Sequence, residues 1–261
     1  MDETAPPGRH DGSVVLVTGS THGIGRGIAR RFAREGAAVV VNDHGEYDGR
    51  AVAAALREAA DTDAVRYVEA DVGDPAALRG LVEDTVAEFG GLDVLVNNVG
   101  LARTAHPREL ALENWERVMD TSLRSGWLGV KYALDQLAGG GSVVNVSSAH
   151  AHSTTQGYFP YNVAKAGVNG LTRALAVELG ELGVRVNAVS PGPIVVDEQH
   201  PDPDRLDQGA EGDPLGRMGT VEDVAGLVSF LASDDAAYLT GTVVRADGGR
   251  GAVQYVPPGG R

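Results

Sequence analysis

A glycine-rich loop that joins a strand directly to a helix constrains this chain more than any other feature. The apolar run Val14–Thr18 leads into a loop containing Gly19, Gly23 and Gly25, and an amphipathic helix is predicted to begin within that loop. Such a turn directs its backbone N–H groups and the positive end of the helix dipole at one point, which stabilises a pyrophosphate. The loop therefore predicts a strand–loop–helix unit that binds a dinucleotide.

Apolar runs alternate with amphipathic stretches along most of the 261 residues, which is typical of repeated βα units. The fold class predicted is α/β: a single doubly wound Rossmann-type domain with a seven-stranded parallel sheet and helices on both faces. Strands are predicted over Val14–Thr18, Ala37–Asn42, Ala64–Ala70, Leu92–Asn97, Gly141–Ser147, Val184–Ser190 and Thr242–Ala246. Helices are predicted over Gly23–Glu35, Gly49–Ala59, Pro75–Glu88, Leu112–Leu137, Gly157–Leu182 and Thr220–Leu231.

The predicted domain spans residues 13–250, between two short tails. Residues 1–12 hold two prolines and no apolar run, and they are predicted to be a disordered tail; residues 251–261 form a C-terminal tail. The segment Pro191–Met218 is polar and follows a strand, so it would lie at the carboxyl edge of the sheet, where ligands bind. It is interpreted as a mobile substrate lid, with a plain linker as the alternative.

Composition excludes several kinds of partner. The formal net charge of -14 repels phosphates, which argues against nucleic acid. The absence of cysteine excludes thiolate metal sites and is compatible with a reducing cytoplasm, where the protein is expected. No apolar run approaches the roughly 18 residues of a membrane span, and the histidines lack the spacing of a helical metal pair. A small-molecule substrate and no metal are predicted.

The end of the second predicted strand indicates which dinucleotide is bound. Asp43 follows the loop by about 20 residues, where a carboxylate accepts the ribose hydroxyls of adenosine. A 2′-phosphate about 4 Å away would cost on the order of 4 kcal/mol per unit charge, so NAD is predicted over NADP. The alternative for Asp43 is an ordinary turn residue. The other cofactor contacts predicted in this half of the chain are Gly19, Thr21, His22, Gly23, Ile24, Gly25, Asp71, Val72, Asn98 and Gly100.

Three polar side chains in the second half of the chain form a candidate catalytic group. Tyr161 and Lys165 share a helix face at (i, i+4), and Ser148 precedes the tyrosine by thirteen residues. Lowering a phenol pKa by about 3 units requires roughly 4 kcal/mol, which an ammonium about 4.5 Å away can supply. Tyr161 is therefore predicted to transfer a proton, with Lys165 as its activator and Ser148 bonded to the substrate oxygen.

Taken together, these motifs resemble the short-chain dehydrogenase/reductase family over nearly the whole chain. The resemblance implies a nicotinamide cofactor, hydride transfer at a secondary alcohol or ketone, and a homotetramer. It assigns the acid/base role to Tyr161, and cofactor contacts to Tyr161 and Lys165 as well as to Pro191, Gly192 and Ile194. The matching segments are Thr18–Gly25, Asn97–Gly100, Val144–Ser148, Tyr161–Lys165, Arg185–Gly192 and Leu239–Gly249.

Two positions depart from the family pattern. Ser122 stands where the family usually has an asparagine that holds a relay water, so the catalytic prediction includes Ser122 in place of that residue. Val196 replaces a threonine that often helps to hold the carboxamide, which leaves that contact to backbone groups near Ile194.

The segment between Ser148 and Tyr161 forms the substrate wall in this family. Here it carries His150 and Gln156, which favour a polar ligand, and His150 matches a histidine at that offset in sugar dehydrogenases similar to bacterial glucose dehydrogenase. The substrate predicted is a sugar or polyol oxidised with NAD, bound by Ser148, His150, Gln156 and Tyr161. The alternatives are a 3-oxoacyl or hydrophobic ketone reductase, and a low-activity dinucleotide-binding sensor or scaffold.

Overall fold

A computed structural model describes residues 8–103, 105–196 and 214–253 of the chain. The strands in these ranges are β1 (Val14–Val17), β2 (Ala38–Asp43), β3 (Val65–Glu69), β4 (Val94–Asn97), β5 (Ser142–Val146), β6 (Arg185–Pro191), β7 (Ile194–Val195), β8 (Gly219–Thr220) and β9 (Val243–Ala246). The α-helices are α1 (Gly23–Arg34), α2 (Gly49–Ala60), α3 (Pro75–Phe89), α4 (Leu112–Met119), α5 (Ser125–Leu137), α6 (Tyr161–Leu179) and α7 (Val221–Ala232).

The main sheet of the described chain contains seven parallel strands in the order β3-β2-β1-β4-β5-β6-β9. From β1 the chain adds β2 and β3 on one side of the sheet. It then returns and adds β4, β5, β6 and β9 on the other side. Open α/β sheets bind ligands at the carboxyl end of such a reversal point. The predicted fold class is confirmed, and the reversal lies between β1 and β4, next to the glycine-rich loop.

Alternating side chains of the strands bury opposite faces of the sheet. In β1, Val15 and Val17 pack with Ile28 and Phe32 of α1, on the face that also receives α2 and α7. Leu16 points to the other face, which is covered by α3, α5 and α6. All of these side chains are fully buried, and each large apolar one contributes about 1.5–3 kcal/mol. The two apolar layers hold the sheet rigid and leave its carboxyl edge free for polar groups.

Two of the predicted helices begin or continue differently from the sequence-based prediction. The helix predicted over Leu112–Leu137 is interrupted by a π-helical turn at Asp120–Arg124, a feature that often marks functional sites. The helix predicted from Gly157 begins instead at Tyr161. Gly157 has a φ of +92°, outside the helical range, and Pro160 is the N-cap, where its missing N–H is no loss.

The amino-terminal tail was predicted to be disordered through residue 12, and this is wrong for residues 8–12. His10 is only 3% exposed, and its N–H donates to the carbonyl of Glu35 at 2.9 Å. Its ring centroid lies 4.7 Å from that of Phe32. The segment is ordered because it pairs with the carbonyl of Glu35, the C-cap residue of α1, and covers an aromatic side chain. Residues 1–7 lie outside the described chain.

The predicted lid and the carboxyl-terminal tail are described only in part. At the two ends of the lid, β7 pairs with β8 in a small parallel sheet that the sequence did not predict. The lid residues 197–213 and the tail residues 254–261 lie outside the described chain. No helix in the described ranges combines the length and the apolar character needed to cross a membrane.

Candidate functional site

The glycine-rich loop after β1 is a tight backbone cradle. Gly19 has a φ of +60°, and a Cβ on Gly25 would lie 2.2 Å from the carbonyl oxygen of Gly19. Two asparagine side chains from neighbouring parts of the sheet hold the loop. The side-chain amide of Asn98 donates to the Gly19 carbonyl at 2.9 Å, and the side-chain oxygen Oδ1 of Asn42 accepts from the Gly19 N–H at 3.3 Å. Only glycine fits at residue 25, so the loop brings its backbone close to any ligand above it.

A cavity of about 680 Å³ opens above this loop at the carboxyl edge of the sheet. Its volume is within the usual range for a cofactor site, about 300–1,000 Å³. Most of the residues predicted to contact the cofactor line it: Gly19, His22, Gly23, Ile24, Gly25, Asp43, Asp71, Val72, Asn98 and Gly100. A loop that excludes side chains below an elongated cavity fits the pyrophosphate and adenosine of a nicotinamide dinucleotide.

Asp43 is buried at the end of β2, where it holds the following turn in place. Its Oδ1 accepts from the N–H groups of Gly45 and Glu46, both at 2.8 Å, and its Oδ2 accepts from the Thr21 hydroxyl at 3.0 Å. Burial alone would raise the pKa of Asp43, but these hydrogen bonds and one from His44 hold it below its usual value. The carboxylate therefore carries full charge at the cavity wall and also acts as the turn residue considered as its alternative.

Asp71 is joined to a residue that the sequence analysis missed. Arg117 of α4 donates to Asp71 Oδ2 at 2.7 Å, and the N–H of Gly73 donates to Oδ1 at 2.8 Å. Burial opposes the charge of Asp71, while Arg117 and Gly73 hold its pKa below the ordinary value. Both Asp71 and Arg117 line the cavity. No sequence pattern indicated Arg117, because the pairing joins elements that are distant in the chain.

Six of the predicted cofactor contacts are not among the residues that line this cavity: Thr21, Pro191, Gly192 and Ile194, and also Tyr161 and Lys165, which are described below. Pro191 ends β6 and Gly192 follows it, where a Cβ on Gly192 would lie 2.8 Å from the Cα of Asp247. Ile194 lies in β7 and packs against the apolar layer of α1, α2 and α7. Val196, noted for its departure from the family pattern, does line the cavity. Contacts from Pro191, Gly192 and Ile194 to a cofactor stay a prediction.

Tyr161, Ser148 and Lys165 meet beside this cavity. Tyr161 is the first residue of α6, and its hydroxyl lies close enough to interact with Ser148, which stands two residues after the end of β5. A Cβ on the cavity residue Gly100 would lie 2.9 Å from Lys165 Nζ and 3.6 Å from Tyr161 Cε2. Gly100 therefore lies between the cavity and both groups, and its lack of a side chain leaves the ammonium and the phenol close to the cavity wall.

The electrostatic part of the sequence prediction is not met at Tyr161. Burial raises the pKa of the Tyr161 phenol, and the hydrogen bond from Ser148 only partly opposes this. Lys165 Nζ lies 5.8 Å from the centroid of the tyrosine ring and donates to the carbonyl of Val146 at 2.7 Å. Burial also lowers the pKa of Lys165 to about 8. In this structure the phenol is therefore kept protonated at neutral pH.

Ser122 lies in the π-helical turn and is buried. Its hydroxyl accepts from the N–H of Leu101, which follows Gly100, at 2.9 Å. A small cavity of about 10 Å³ lies between Ser122 and Lys165. That volume is close to the minimum of about 10–15 Å³ for one water molecule. Ser122 thus positions the loop after β4 and borders a space with room for one relay water.

The predicted substrate residues are only partly brought together. The His150 ring stacks on Tyr158 with centroids 3.8 Å apart and meets the Tyr161 ring edge-on at 6.3 Å. Its Nδ1 lies 3.1 Å from the Thr154 hydroxyl, and burial lowers the pKa of His150. Gln156 is exposed in the turn before Tyr158. Contact between Gln156 and a substrate stays a prediction.

Comparison with known proteins identifies the family. A family model described as enoyl-(acyl carrier protein) reductase matches residues 19–250. The chain is 38% identical over 244 residues to a 3-alpha-(or 20-beta)-hydroxysteroid dehydrogenase of Mycobacterium tuberculosis, covering 93% of this chain and 90% of that protein. It belongs to the short-chain dehydrogenase/reductase family.

Two further relatives agree with this assignment. The 3beta-hydroxysteroid dehydrogenase 1 of Eggerthella lenta is 36% identical over 245 residues, covering 91% of this chain and 93% of that protein. The crystal structure of a blue fluorescent protein from a metagenomic library, in complex with NADPH, superimposes with a TM-score of 0.84 at 35% identity, covering 93% of this chain and 99% of that one. This short-chain dehydrogenase/reductase is therefore an oxidoreductase that binds a nicotinamide dinucleotide and interconverts secondary alcohols and ketones.

The buried ammonium generates a prediction about stability. Lys165→Met should raise the free energy of unfolding by about 1–2 kcal/mol at neutral pH, because methionine fills the same space without a charge to desolvate. The folded wild type gives up its lysine proton at a pH of about 8, against an ordinary pKa of 10.5, so its own stability rises between these values. The advantage of Lys165→Met should therefore be greatest below pH 8 and should fade toward pH 10.5.

Urea unfolding at fixed protein concentration, repeated across this pH range, measures the difference. The other lysine of the chain, Lys131, is exposed and provides the matched control variant Lys131→Met, which should show no such pH-dependent gain. A Lys165→Met variant less stable than wild type at pH 7 would show that the bond to Val146 outweighs the burial of the charge.

Ser122 generates a second prediction. Ser122→Ala leaves the Leu101 N–H without its acceptor, which costs about 1–3 kcal/mol and should lower turnover about tenfold through a displaced loop. Ser122→Asn restores an accepting oxygen, so turnover should stay equal to the wild type or exceed it. Steady-state kinetics of both variants gives the comparison, with Ser13→Ala as control because Ser13 precedes β1, at the edge of the sheet opposite the cavity. A collapse of turnover in Ser122→Asn would show that the serine has a role of its own.

Proposed function

We propose that this protein is an NAD(H)-dependent oxidoreductase for a ring-shaped, largely apolar secondary alcohol and its ketone. The observation that carries the proposal is the position of Gly100, which lines the dinucleotide cavity and has Lys165 and Tyr161 in the space where its side chain would be. A proton donor and a cofactor site are thus separated only by a residue without a side chain. Hydride and proton transfer to one substrate carbonyl require this proximity.

Each residue of the group has a separate role in this proposal. The Tyr161 hydroxyl transfers the proton to or from the substrate oxygen, and Ser148 holds that oxygen by a hydrogen bond. The Lys165 ammonium, at the edge of the cavity, binds the hydroxyls of the cofactor ribose. A bound nicotinamide ring would supply or accept the hydride. Because burial keeps the phenol protonated, the site is prepared for reduction of a ketone at neutral pH.

The choice of NAD over NADP rests on Asp43. Its ionised carboxylate lies at the cavity wall, and Oδ2, which accepts only from Thr21, has a lone pair left for a ribose hydroxyl. A 2′-phosphate in that place would be repelled by on the order of 4 kcal/mol per unit charge. The blue fluorescent protein was crystallised with NADPH, so the preference belongs to this chain's own residues and not to the family.

The substrate proposed follows from the aromatic wall beside Tyr161. The stacked rings of His150 and Tyr158 stand next to the phenol, and Trp115 and Phe159 form a second ring pair with centroids 5.5 Å apart. Flat rings of this kind pack against a flat cyclic substrate. The named substrates of the two hydroxysteroid dehydrogenases are of that class, which adds support.

One observation favours the sugar or polyol predicted from sequence as a second candidate. The Thr154 hydroxyl donates to the carbonyl of Thr155, so it accepts from His150 Nδ1, which then carries the ring proton. The other nitrogen of His150 is left as an acceptor for a second substrate hydroxyl. A diol or polyol would use this acceptor, whereas an isolated ketone would not.

The homotetramer and the cytoplasmic location predicted from sequence stay predictions. Support for assembly comes from apolar side chains exposed on the outer helices: Trp127 of α5 is 45% exposed and Val177 of α6 is 79% exposed. Exposed apolar area of this kind is typical of protein–protein contacts.

Removal of one oxygen tests the mechanism. Tyr161→Phe should lower kcat by about 10²–10⁴-fold, the usual contribution of a positioned acid/base, while NADH binding, measured by fluorescence, stays near wild type.

Because the pKa of Tyr161 is raised, alcohol oxidation in the wild type should speed up as the pH rises into the alkaline range, and ketone reduction should stay level there until the phenol ionises. Tyr132→Phe on α5 is the control. Unchanged turnover in Tyr161→Phe contradicts the mechanism.

A substrate panel tests the second part of the proposal. With NADH, kcat/KM for flat polycyclic ketones should exceed that for sugars and acyclic ketones by about 100-fold. The reason is that additional apolar contacts between the substrate and the aromatic side chains are worth about 1–3 kcal/mol. Tyr158→Ala should remove about tenfold of this preference and leave small ketones unaffected. If sugars or polyols are the better substrates, the second candidate is correct. Cofactor binding without turnover of any member would instead indicate the sensor or scaffold alternative.

A further inference from the structure

A positively charged side chain lines the cavity without an acidic partner. Arg103 lies in the loop after β4 and is one of two arginines on the cavity wall. The other, Arg117, is paired with Asp71. Arg103 Nη1 donates instead to the neutral side-chain oxygen of Asn114 at 2.8 Å, and no carboxylate of the described ranges pairs with it. Arg103 therefore presents a positive charge to the cavity that the proposed mechanism does not use.

The bond to Asn114 orients the guanidinium without neutralising it. An amide oxygen accepts a hydrogen bond and carries no net charge. A guanidinium has five N–H donors, and Asn114 is the only acceptor that the described residues provide for those of Arg103. The donors that remain belong to a planar fork, which binds a carboxylate through two parallel hydrogen bonds. Arg103 is thus held in place and ready for an anionic ligand.

Two backbone hydrogen bonds hold the loop of Arg103 beside the catalytic group. On one side of it, the Leu101 N–H donates to the Ser122 hydroxyl at 2.9 Å. On the other side, the Ala105 N–H donates to the carbonyl of Phe159, just before α6, at 3.0 Å. Two residues span at most about 7 Å, so the Arg103 backbone lies within that distance of both fixed points. The arginine is therefore held between the π-helical turn and the start of the catalytic helix.

The same arginine borders the aromatic wall that is proposed to bind the substrate ring. Asn114, which holds the guanidinium, is followed in α4 by Trp115, whose ring pairs with that of Phe159. A flat substrate that packs on these rings with its carbonyl at Tyr161 has a second end away from the reaction. Arg103 is the cationic group next to the wall, so it can bind an anionic substituent at that end.

The charge of the surroundings indicates which anion fits. Asp43 and Glu46 also line the cavity, and the chain has a formal net charge of -14. A phosphate dianion would be repelled by this field at long range. A carboxylate carries a single negative charge, which one guanidinium balances, and its two oxygens match the fork of Arg103. A carboxylate is therefore the anion that this site favours.

We infer that Arg103 binds a carboxylate on the substrate, so that the preferred substrates are flat cyclic ketones or alcohols that bear an acidic side chain. The inference rests on the proposed function, in which the aromatic wall holds the ring and Tyr161 faces the carbonyl. Arg103 adds a second, charged point of attachment. Two fixed ends of one molecule determine which of its carbonyls reaches the tyrosine.

A pair of substrates of the same shape tests the inference. One is a flat polycyclic ketone with a carboxylate on its side chain, and the other has a primary carboxamide in place of the carboxylate. With NADH at low salt, kcat/KM of the wild type should be about fivefold higher for the carboxylate, which is the effect of a favourable ion pair at an exposed arginine. Sodium chloride at about 0.5 M should reduce this ratio, because salt screens exposed charges.

Variants identify the charge that is responsible. Arg103→Gln should bring the ratio of carboxylate to carboxamide to about one, mainly through KM, because the ion pair forms equally in the ground and transition states. Arg103→Lys should keep part of the ratio. Asn114→Asp preserves an acceptor for Arg103 but neutralises it, so the ratio should fall as in Arg103→Gln. Arg108→Gln changes an exposed arginine of the same segment that does not line the cavity, and this matched control should behave as wild type.

Each outcome supports or overturns the inference. A wild-type ratio of about one, or an unchanged ratio in Arg103→Gln, overturns the carboxylate site and leaves the proposed function intact. Loss of NADH affinity in Arg103→Gln, with both probes affected equally, would show that the arginine binds the cofactor and also overturns it. If the wild type reduces uncharged polycyclic ketones but neither probe, the inference alone is wrong. If it reduces none of these ketones, the proposed function is wrong as well.

Discussion

Hydrogen bonds across the gap between β1 and β4 are the interaction on which the rest of the site depends. Where the two strands diverge, the carbonyls of Thr18 and Gly19 have no strand partner, and the Asn98 amide donates to both, at 3.0 and 2.9 Å. The Thr18 hydroxyl in turn accepts from the Asn98 N–H at 3.0 Å. Buried backbone groups must be paired, and here the pairing fixes the cradle that the cavity is built on.

A second polar network behind the cavity fixes the catalytic helix to the sheet. Asn145 of β5 donates to the Thr172 hydroxyl at 3.0 Å and accepts from Asn97 of β4 at 2.9 Å. Ser147 donates to Asn169 at 2.7 Å. Together these bonds connect β4 to β5, and β5 with the residue after it to α6, the helix that carries Tyr161 and Lys165. Fully paired networks of this kind hold one arrangement in preference to others, which is what positioning two reacting groups requires.

The fold was predictable because it is repeated and local, whereas much of the site is not. Each βα unit has its own apolar periodicity and caps, so the strand and helix positions of the main sheet followed from the sequence with errors of a few residues. The glycine loop and the Tyr161–Lys165 pair were also found, since both are short-range patterns. Arg117 was missed because its partner Asp71 is 46 residues away. The order of residues 8–12 was missed for the same reason, as His10 packs against distant side chains.

Electrostatics was the least predictable part, because distance alone does not decide it. The (i, i+4) spacing placed Lys165 near Tyr161 as expected, but the spacing says nothing about what the ammonium bonds to or how dry its surroundings are. In the folded chain Nζ is directed to the carbonyl of Val146, and burial disfavours the charged form of both groups. Such opposed shifts keep a proton on the phenol and make the amine more ready to lose one.

In the proposed mechanism, this arrangement gives the buried lysine a different task from simple activation. An ammonium that stabilised a phenolate strongly in the empty site would leave the enzyme without the proton that ketone reduction needs. The structure instead holds the proton on Tyr161 and keeps Lys165 close to Gly100, at the boundary of the cavity. Positive charge or polarity beside Gly100 lowers the free energy of the Tyr161 phenolate. Such charge is added only when a ligand fills the cavity. On this proposal the acid/base group is matched to the loaded site, and the burial of Tyr161 and Lys165 is the physical means.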